Sequence, residues 1–430
     1  MIFCLALPLA SIVLPNGRLI FINSRPGHAV PYHGRMHKRW LILLAISLGG
    51  LLALCLPARP YQPLEPIPSG IVDMHCHLAG LGAGGSGCFV SEHLRHNWRF
   101  GLYLRSFGIS RRELLAQGDQ RIADRISDSL ARSHYVSKAV VLALDGVVDA
   151  NGELDRQRTE VYVPDDFVAA MVASHSNLLF GASVNPYRCD ALERLDRAKA
   201  QGAVLVKWIP PIMEINPGDP RLIPFYRKLV ALNLPLLAHT GREKSFSRAA
   251  EDYGDPERLR LPLSLGVTVV AAHIASSATY AGERGPDRLA RLMREYPRLY
   301  ADISALTQIN KPGALREALC KPEFAGRLIY GTDFPLIQTA LVSPWYSFAL
   351  SLREKLAIWR TENPWDCDVL MKHDLGVSTE IFARSAAMFD NASTTATSLE
   401  IHSQRADIPL PAAMTNPNAS PIQQPSAISF

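Results

Sequence analysis

Six side chains that can bind a metal ion or transfer a proton stand at the ends of short apolar runs in the sequence. They are His75, His77, Lys207, His239, His273 and Asp333. Because side chains alternate along a strand, Asp73, His75 and His77 are predicted to share one face, where the two imidazoles can converge on one ion. Each residue alone has an ordinary structural explanation, such as a hydrogen-bonded core histidine or an ion-paired lysine. Together they predict a divalent metal site, with zinc as the default ion and manganese or iron as alternatives.

The apolar runs that carry these residues recur along the chain with helix-like stretches between them. The predicted strands cover residues 71–77, 136–145, 178–186, 203–210, 235–241, 268–274, 299–306 and 327–335. Acidic or Asp-Pro starts at 165–166, 190 and 219–220 open amphipathic patterns that read as helices. Strand, helix and strand in succession require parallel pairing. Eight such units predict a (β/α)8 barrel with its active site at the carboxyl ends of the strands, and a doubly wound open sheet is the alternative.

The longest interval between predicted strands, residues 78–135, indicates an inserted loop-and-helix segment over the barrel mouth. We expect this insertion to select the substrate, and His93, Arg95 and Arg99 are its candidate contacts for an anionic group. Residues 82–87 match the G-x-G-x-x-G pattern of dinucleotide sites. The pattern is not followed by a second strand ending in an acid about 20 residues on, as such sites require. These glycines therefore predict a mobile loop near the mouth.

The residues at the strand ends resemble those of the amidohydrolase superfamily, metal-dependent hydrolases built on a (β/α)8 barrel. The similarity covers residues 70–390 and favours the branch of small-acid decarboxylases and lactone or amide hydrolases, which finish with a helix like residues 379–389. The resemblance implies that His75, His77 and Asp333 bind one metal and that His239 and His273 bind a second. Lys207 would bridge the two ions if carbamylated, since an ammonium cannot bind a cation. In one-metal members of the branch the strand-6 histidine instead polarises the substrate or transfers a proton, which here would be His273.

This resemblance implies metal-assisted hydrolysis of an ester, lactone or amide bond in a small molecule. Asp333 would take a proton from the attacking water and pass it to the leaving group. His273, or His239 if it is not a ligand, would stabilise the developing oxyanion. A non-oxidative decarboxylase that uses the same metal site is the first alternative. A membrane-anchored binding protein that keeps the barrel without turnover is the second.

The two ends of the chain have compositions unlike that of the middle. Residues 1–60 form a leader in which His37-Lys38-Arg39 precedes an apolar run at 40–56, and Met36 stands where such a signal would begin. A basic flank before an apolar run predicts export, through a cleaved signal or a retained membrane anchor, with the barrel outside the cytoplasm. We favour the anchor. The barrel occupies 61–390, and residues 391–430 are rich in Ser, Thr, Ala, Pro and Asn, which predicts a disordered tail.

Charge and cysteine usage exclude further classes. The net charge of +5 in 430 residues comes from the leader, which has six basic residues and no acidic one. The remaining 39 basic and 40 acidic residues give a balance of −1, so no nucleic-acid partner is expected. Seven cysteines without a C-x-x-C pair indicate neither a zinc ribbon nor a disulfide framework.

Overall fold

Eight parallel strands form one sheet whose order follows the chain. The computed structural model describes residues 11–13, 19–21, 65–243 and 249–389. The strands are β1 (Ile71–His77), β2 (Val136–Leu142), β3 (Leu178–Ala182), β4 (Ala203–Trp208), β5 (Leu236–His239), β6 (Val269–Ala272), β7 (Leu299–Asp302) and β8 (Leu328–Ile329). The first strand meets the segment after the last, since Cys76 bridges Phe334 in parallel and the Asp333 N–H donates to the His75 carbonyl at 2.8 Å. This closure confirms the (β/α)8 barrel, and the open doubly wound sheet is wrong.

Helices fill most of the intervals between the strands. They are α1 (Glu92–Arg95), α2 (Trp98–Ser106), α3 (Arg111–Gln117), α4 (Gln120–Ala131), α5 (Asp165–Ser174), α6 (Ala191–Ala200), α7 (Pro210–Met213), α8 (Ile223–Ala231), α9 (Arg260–Ser264), α10 (Gly285–Glu295), α11 (Ala314–Cys320), α12 (Leu352–Arg360) and α13 (Pro364–Asp374). Residues 379–389 are also helical, as expected for the last helix. The predicted starts of α5 and α6 are confirmed, and acidic residues in the first turn of α5 suit the positive end of the helix dipole.

Two apolar layers hold the barrel together. One fills the interior below the rim and consists of Val72, Met74, Val140, Leu142, Leu205, Leu237, Val270, Ala272 and Ile329. The other lies between the sheet and the helices, where Ala139 and Val141 of β2 belong. The alternation of β2 between the two layers is what a strand buried on both faces requires. The interior layer forms an apolar floor, so the polar strand ends stand above it.

Strand β1 does not keep this alternation. Asp73 pairs with Ala139 and Cys76 pairs with Val141, so β1 has one residue more than its partner between these two pairs. Such a bulge reverses the facing of the residues that follow it. The Asp73 carboxylate therefore lies away from the rim and accepts hydrogen bonds from the Thr332 hydroxyl at 2.5 Å and Trp365 Nε1 at 2.9 Å. The prediction that Asp73 shares a face with His75 and His77 is wrong, because the bulge separates them.

The insertion at 78–135 contains α1 to α4, as predicted. Its glycine-rich stretch includes a short 3-10 turn, Ala83–Gly85, and is tied down by one buried carboxylate. Asp119 accepts hydrogen bonds from the Leu81 N–H at 2.9 Å, the Gly82 N–H at 2.8 Å and the Ser86 hydroxyl at 2.5 Å. Gly80 and Leu81, directly before the stretch, line the cavity at the barrel mouth, and the backbone of the stretch is held by Asp119 of the insertion. That the stretch is mobile stays a prediction.

Three short antiparallel ribbons lie apart from the barrel sheet: Ser11–Val13 with Leu19–Phe21, Phe89–Val90 with Val161–Tyr162, and Thr279–Tyr280 with Glu283–Arg284. In the part of the chain that the structure describes, no helix has the length and apolarity to cross a membrane. The predicted anchor at 40–56 and the tail at 391–430 lie outside the described residues.

Candidate metal centre

Three of the predicted ligands meet at the carboxyl end of the barrel. One Asp333 carboxylate oxygen lies 3.5 Å from His75 Nε2 and 3.2 Å from His77 Nε2. One donor atom from each of these residues lies within 4.8 Å of the other two. His75 is fully buried, and the His77 side chain is 23% exposed towards the barrel mouth. The arrangement leaves room for a single ion to be shared by two imidazoles and a carboxylate.

A carboxylate and a hydroxyl behind the rim fix the hydrogen on two of the imidazoles. Asp302 Oδ2 accepts from His75 Nδ1 at 2.7 Å, and the Ser304 hydroxyl donates to Asp302 Oδ1 at 2.5 Å. Because that bond uses the hydroxyl's one hydrogen, His273 Nδ1 donates to Ser304, with 2.8 Å to its hydroxyl oxygen and 3.2 Å to its carbonyl. Both Nε2 atoms therefore carry lone pairs, which a metal ligand needs.

The backbone is locally strained at the two residues that must turn towards the rim. His273 has φ of 61° and Asp333 has φ of 63°, a left-handed conformation that side-chain-bearing residues seldom adopt. Each follows the end of a short strand, β6 or β8. Hydrogen bonds from the His273 N–H to Asp302 at 2.9 Å and from the Asp333 N–H to His75 at 2.8 Å hold these conformations. Strain of this kind concentrates at functional sites.

His239 and Lys207 complete the group. The His239 ring centre lies 5.1 Å from that of His273, and its Nε2 is shielded from solvent without a hydrogen-bond partner among the described residues. Lys207 Nζ lies 2.8 Å from His75 Nε2. The structure thus brings all six predicted residues to one rim, and their individual roles stay predictions.

The charge states of these groups suit a cation. Burial lowers the pKa of His239 to about 4 and that of His273 well below its usual value, so both imidazoles are neutral at pH 7. Burial alone would raise the pKa of Asp333, but attraction to His273 and His75 in their protonated forms, together with a hydrogen bond from His77, holds it well below its ordinary range. Neutral imidazoles, an ionised carboxylate and an unpaired buried nitrogen form a donor set that fits a divalent ion.

Lys207 has a different character from its neighbours. It is buried beneath the rim, and burial lowers its pKa to about 8. With this pKa roughly a tenth to a fifth of the lysine is neutral near physiological pH, and the neutral amine is the form that reacts to give a carbamate.

Asp302 and Ser304 were not predicted from the sequence. The sequence did contain an indication of them, because both are polar residues that interrupt the apolar run of the strand predicted at 299–306. Neither is a histidine, and both act on ligands from other strands that are remote in the sequence. Only the arrangement of β1, β6 and β7 in the folded barrel shows that Asp302 and Ser304 orient His75 and His273.

A cavity of about 770 Å³ opens above the rim. The insertion and the segment after β8 give it apolar walls that include Phe100, Leu104, Phe107 and Leu341. Two of the insertion's three predicted basic contacts, His93 and Arg95, do not line the cavity. Arg95 donates to the Leu81 carbonyl at 3.5 Å, His93 is exposed, and neither lines the cavity, while the Arg99 side chain lies outside the described part. The basic residues that line the cavity are Arg105, Lys207, Arg242 and Lys311.

A (β/α)8 barrel with histidines and an aspartate at its carboxyl rim defines a class of metal-dependent barrel enzymes. The family model described as amidohydrolase matches residues 72–357, well over half of the sequence. The chain belongs to the amidohydrolase family, as the resemblance predicted.

Several solved structures are similar to this chain. An uncharacterised TIM-barrel protein from Bordetella bronchiseptica has 15% identity and a TM-score of 0.44, covering 71% of this chain and 99% of that one. A probable 2-pyrone-4,6-dicarboxylic acid hydrolase from Acinetobacter baumannii has 14% identity and a TM-score of 0.39, covering 73% and 99%. A 5-carboxyvanillate decarboxylase from Sphingomonas paucimobilis has 12% identity and a TM-score of 0.39, covering 75% and 99%. Among curated proteins none matches significantly.

Proposed function

We propose that this protein is a metal-dependent hydrolase that cleaves an ester, lactone or amide bond in a small-molecule substrate. The observation that carries the proposal is the convergence of His75, His77 and Asp333 within 4.8 Å at the floor of a large, mostly apolar cavity. A cavity of this kind takes an organic molecule and leaves a few polar groups to act on it.

The residues that would hold the ion are His75, His77, His239 and Asp333, with His273 beside them. A divalent ion held there would lower the pKa of a water bound to it towards about 7 and would polarise a carbonyl. We propose zinc, the usual ion for imidazole and carboxylate donors, with manganese or iron as alternatives. Two ions would require Lys207 to be carbamylated.

Asp333 is the proposed proton carrier. Its carboxylate is ionised, and one of its oxygens lies 3.8 Å from His273 Nε2 at the open side of the rim. A carboxylate held there can take a proton from water and return it to the leaving group. His273 presents a lone pair at Nε2, because its Nδ1 hydrogen is used by Ser304. In this state it can bind a metal or accept a proton, whereas stabilising an oxyanion would require it to be protonated first.

Cationic side chains in the cavity favour the non-oxidative decarboxylase as a second candidate. Lys207, Arg242 and Lys311 all line the same space and would attract a carboxylated substrate. A decarboxylase would release CO2 without net addition of water, so its products differ from those of a hydrolase.

The experiment combines elemental analysis of the purified full chain with product analysis. The protein is assayed on a panel of esters, lactones, amides and aromatic acids, with and without chelator. The Asp333→Asn variant is compared with Asp219→Asn, a matched change at a carboxylate that pairs with Arg221 and does not line the cavity. Bound metal and chelator-sensitive hydrolysis that only Asp333→Asn abolishes would support the proposal. CO2 evolution would replace it with the decarboxylase, and turnover that resists chelation and Asp333→Asn would refute both.

We also propose that the barrel is exported or membrane-anchored through the basic flank and apolar run at 37–56. Fractionation of the native cell, followed by N-terminal sequencing of the mature protein, tests this. A soluble product that starts within the barrel supports a cleaved signal. A membrane-bound product that retains 40–56 supports the anchor, and a soluble product that keeps the whole leader contradicts export.

A further inference from the structure

The two sides of the cavity differ in chemistry. The wall from the insertion and from the segment after β8 is mostly apolar, although it includes Arg105 and Gln338. The polar wall comes from the loops after β5, β6 and β7 and consists of Arg242, Glu243, Ser277, Gln308, Asn310 and Lys311. These three strands are neighbours in the sheet, so their loops lie side by side along one half of the mouth. A ligand in this space therefore meets an apolar surface on one side and hydrogen-bonding groups on the other.

Gln308 has an unusual environment on the polar wall. The residue is only 5% exposed, and its amide nitrogen has no hydrogen-bond partner within the described part of the chain. Its backbone is held firmly, through a bridge to Val342 and a 2.9 Å bond from the Lys311 N–H to its carbonyl. Leaving a buried amide unpaired is unfavourable, and a folded protein usually satisfies such a group. A turn about the last side-chain bond would present this amide to the cavity that the residue already lines.

Lys311 lines the same cavity as the metal-site histidines His239 and His273, on the polar wall that also holds Gln308. Glu243 lies on the same wall, but its carboxylate is 3.6 Å from His239 Nδ1 and so is directed at the rim. The polar wall therefore offers hydrogen-bond donors and positive charge to the part of a ligand that extends away from the imidazoles.

We propose that Gln308 is a specificity-determining residue that donates a hydrogen bond to an oxygen at the non-reacting end of the substrate, with Lys311 supplying the charge. This inference rests on the proposed function for the identity of the reacting end. The substrate class is an amphipathic molecule. Its apolar body packs against the insertion, and its remote end carries a carboxylate or similar acceptor towards the loops after β5 to β7.

The effect of Gln308→Leu on the melting temperature distinguishes a role in ligand binding from a purely structural role. If the unpaired amide serves only ligand binding, Gln308→Leu replaces it with an apolar group of similar size and should leave the melting temperature unchanged or raise it. If Gln308 instead supports the fold, the same change should lower the melting temperature.

The experiment uses the full chain reconstituted with zinc and two esters of equal length, 4-nitrophenyl hexanoate and mono-4-nitrophenyl adipate. The wild type should prefer the adipate ester, which has the remote carboxylate. In Gln308→Leu the ratio of the kcat/KM value for the adipate ester to that for the hexanoate ester should fall about tenfold, which is equivalent to about 1.4 kcal/mol. The fall should come from a higher KM for the adipate ester. Gln338→Leu is the matched control, because Gln338 lines the same cavity with an exposed side chain, and its ratio should stay within about twofold.

Calorimetry separates this inference from the proposed function. Binding of adipate and of hexanoate to the zinc protein requires no hydrolysis, so the ratio of their Kd values tests Gln308 even if neither ester is cleaved. A ratio that falls in Gln308→Leu and holds in Gln338→Leu supports the proposal. Equal ratios in the wild type and Gln308→Leu, or a lowered melting temperature in Gln308→Leu, would overturn it.

Discussion

Replacing Asp302 with asparagine should weaken metal binding although Asp302 is not a proposed ligand. Its carboxylate accepts from His75 Nδ1 at 2.7 Å and from the N–H groups of His273 at 2.9 Å and Ser304 at 3.1 Å. In Asp302→Asn the one remaining oxygen can keep the two backbone N–H groups, which leaves the amide nitrogen facing His75 Nδ1. Two donors then oppose each other, so the His75 hydrogen moves to Nε2 and removes the lone pair that would bind the ion.

The expected loss of metal affinity follows from the role of Asp302 as the hydrogen-bond partner of a metal-binding histidine. Removing the group that orients a metal-binding histidine costs about 10- to 100-fold in affinity, or roughly 1.4 to 2.8 kcal/mol. The assay is a competition titration of the metal-free protein against a chromogenic chelator, with zinc as the ion. The side chain keeps its size, so the variant should still fold.

Asp368→Asn provides the matched control. Asp368 is also a buried carboxylate, and it accepts from Lys372 Nζ at 2.7 Å and from the Tyr330 hydroxyl at 3.0 Å behind the strands. This change should lower the free energy of unfolding while leaving zinc affinity within about twofold. Equal zinc affinity in the wild type and Asp302→Asn, or an equal loss in both variants, would refute the reasoning.

Three further predictions follow from the described contacts. Dialysis against EDTA should lower both Tm and activity, because a ligand present at 100 times its Kd adds about 2.7 kcal/mol to the free energy of unfolding. Added zinc should restore both, and an unchanged Tm would count against a resident ion. In the metal-free protein Lys207 has a pKa of about 8 against roughly 10.4 when unfolded, so the unfolded chain binds more protons between these values and stability should rise with pH there. Urea denaturation at pH 7.5 and 9.5 should show the wild type gaining about 2 kcal/mol relative to Lys207→Met, and a constant difference would contradict the assignment. Asp119→Ala leaves the Leu81 and Gly82 N–H groups without their acceptor, so it should lower the free energy of unfolding by about 3 kcal/mol, measured by thermal unfolding. The variant should also have a higher KM with the same metal content. An unchanged KM would show that this loop does not shape the cavity.

The barrel and its polar rim could be predicted because both depend on local sequence. Apolar runs at regular intervals set the strands, and the last residues of each run must lie at one end of a parallel sheet. His75, His239 and Asp333 could therefore be placed together although they are remote along the chain. Strand ends were predicted too long, as in 327–335, where only Leu328–Ile329 pairs regularly and the chain then turns to place Asp333.

Other features of the site could not be predicted, because they depend on contacts between residues that are remote in the sequence. Asp73 was misplaced because the β1 bulge changes the facing of residues, and no local pattern reports where a partner strand is one residue shorter. Asp302 was missed because its task is to orient histidines from two other strands. The charge of the cavity was assigned to other residues of the insertion, including Arg95. The insertion contributes Arg105 instead, and Arg242 and Lys311 come from loops that only barrel closure brings to the mouth.

Anomalous diffraction from crystals of the zinc-loaded protein, recorded on either side of the zinc edge, tests the central claim most directly. The account predicts a peak about 2.0–2.2 Å from His75 Nε2, His77 Nε2 and an Asp333 oxygen, with His239 Nε2 turned towards it. A second peak between Lys207, His239 and His273 would establish the two-ion form. Full zinc occupancy elsewhere, with these imidazoles bonded only to protein groups, would contradict the metal site and the hydrolase proposed from it.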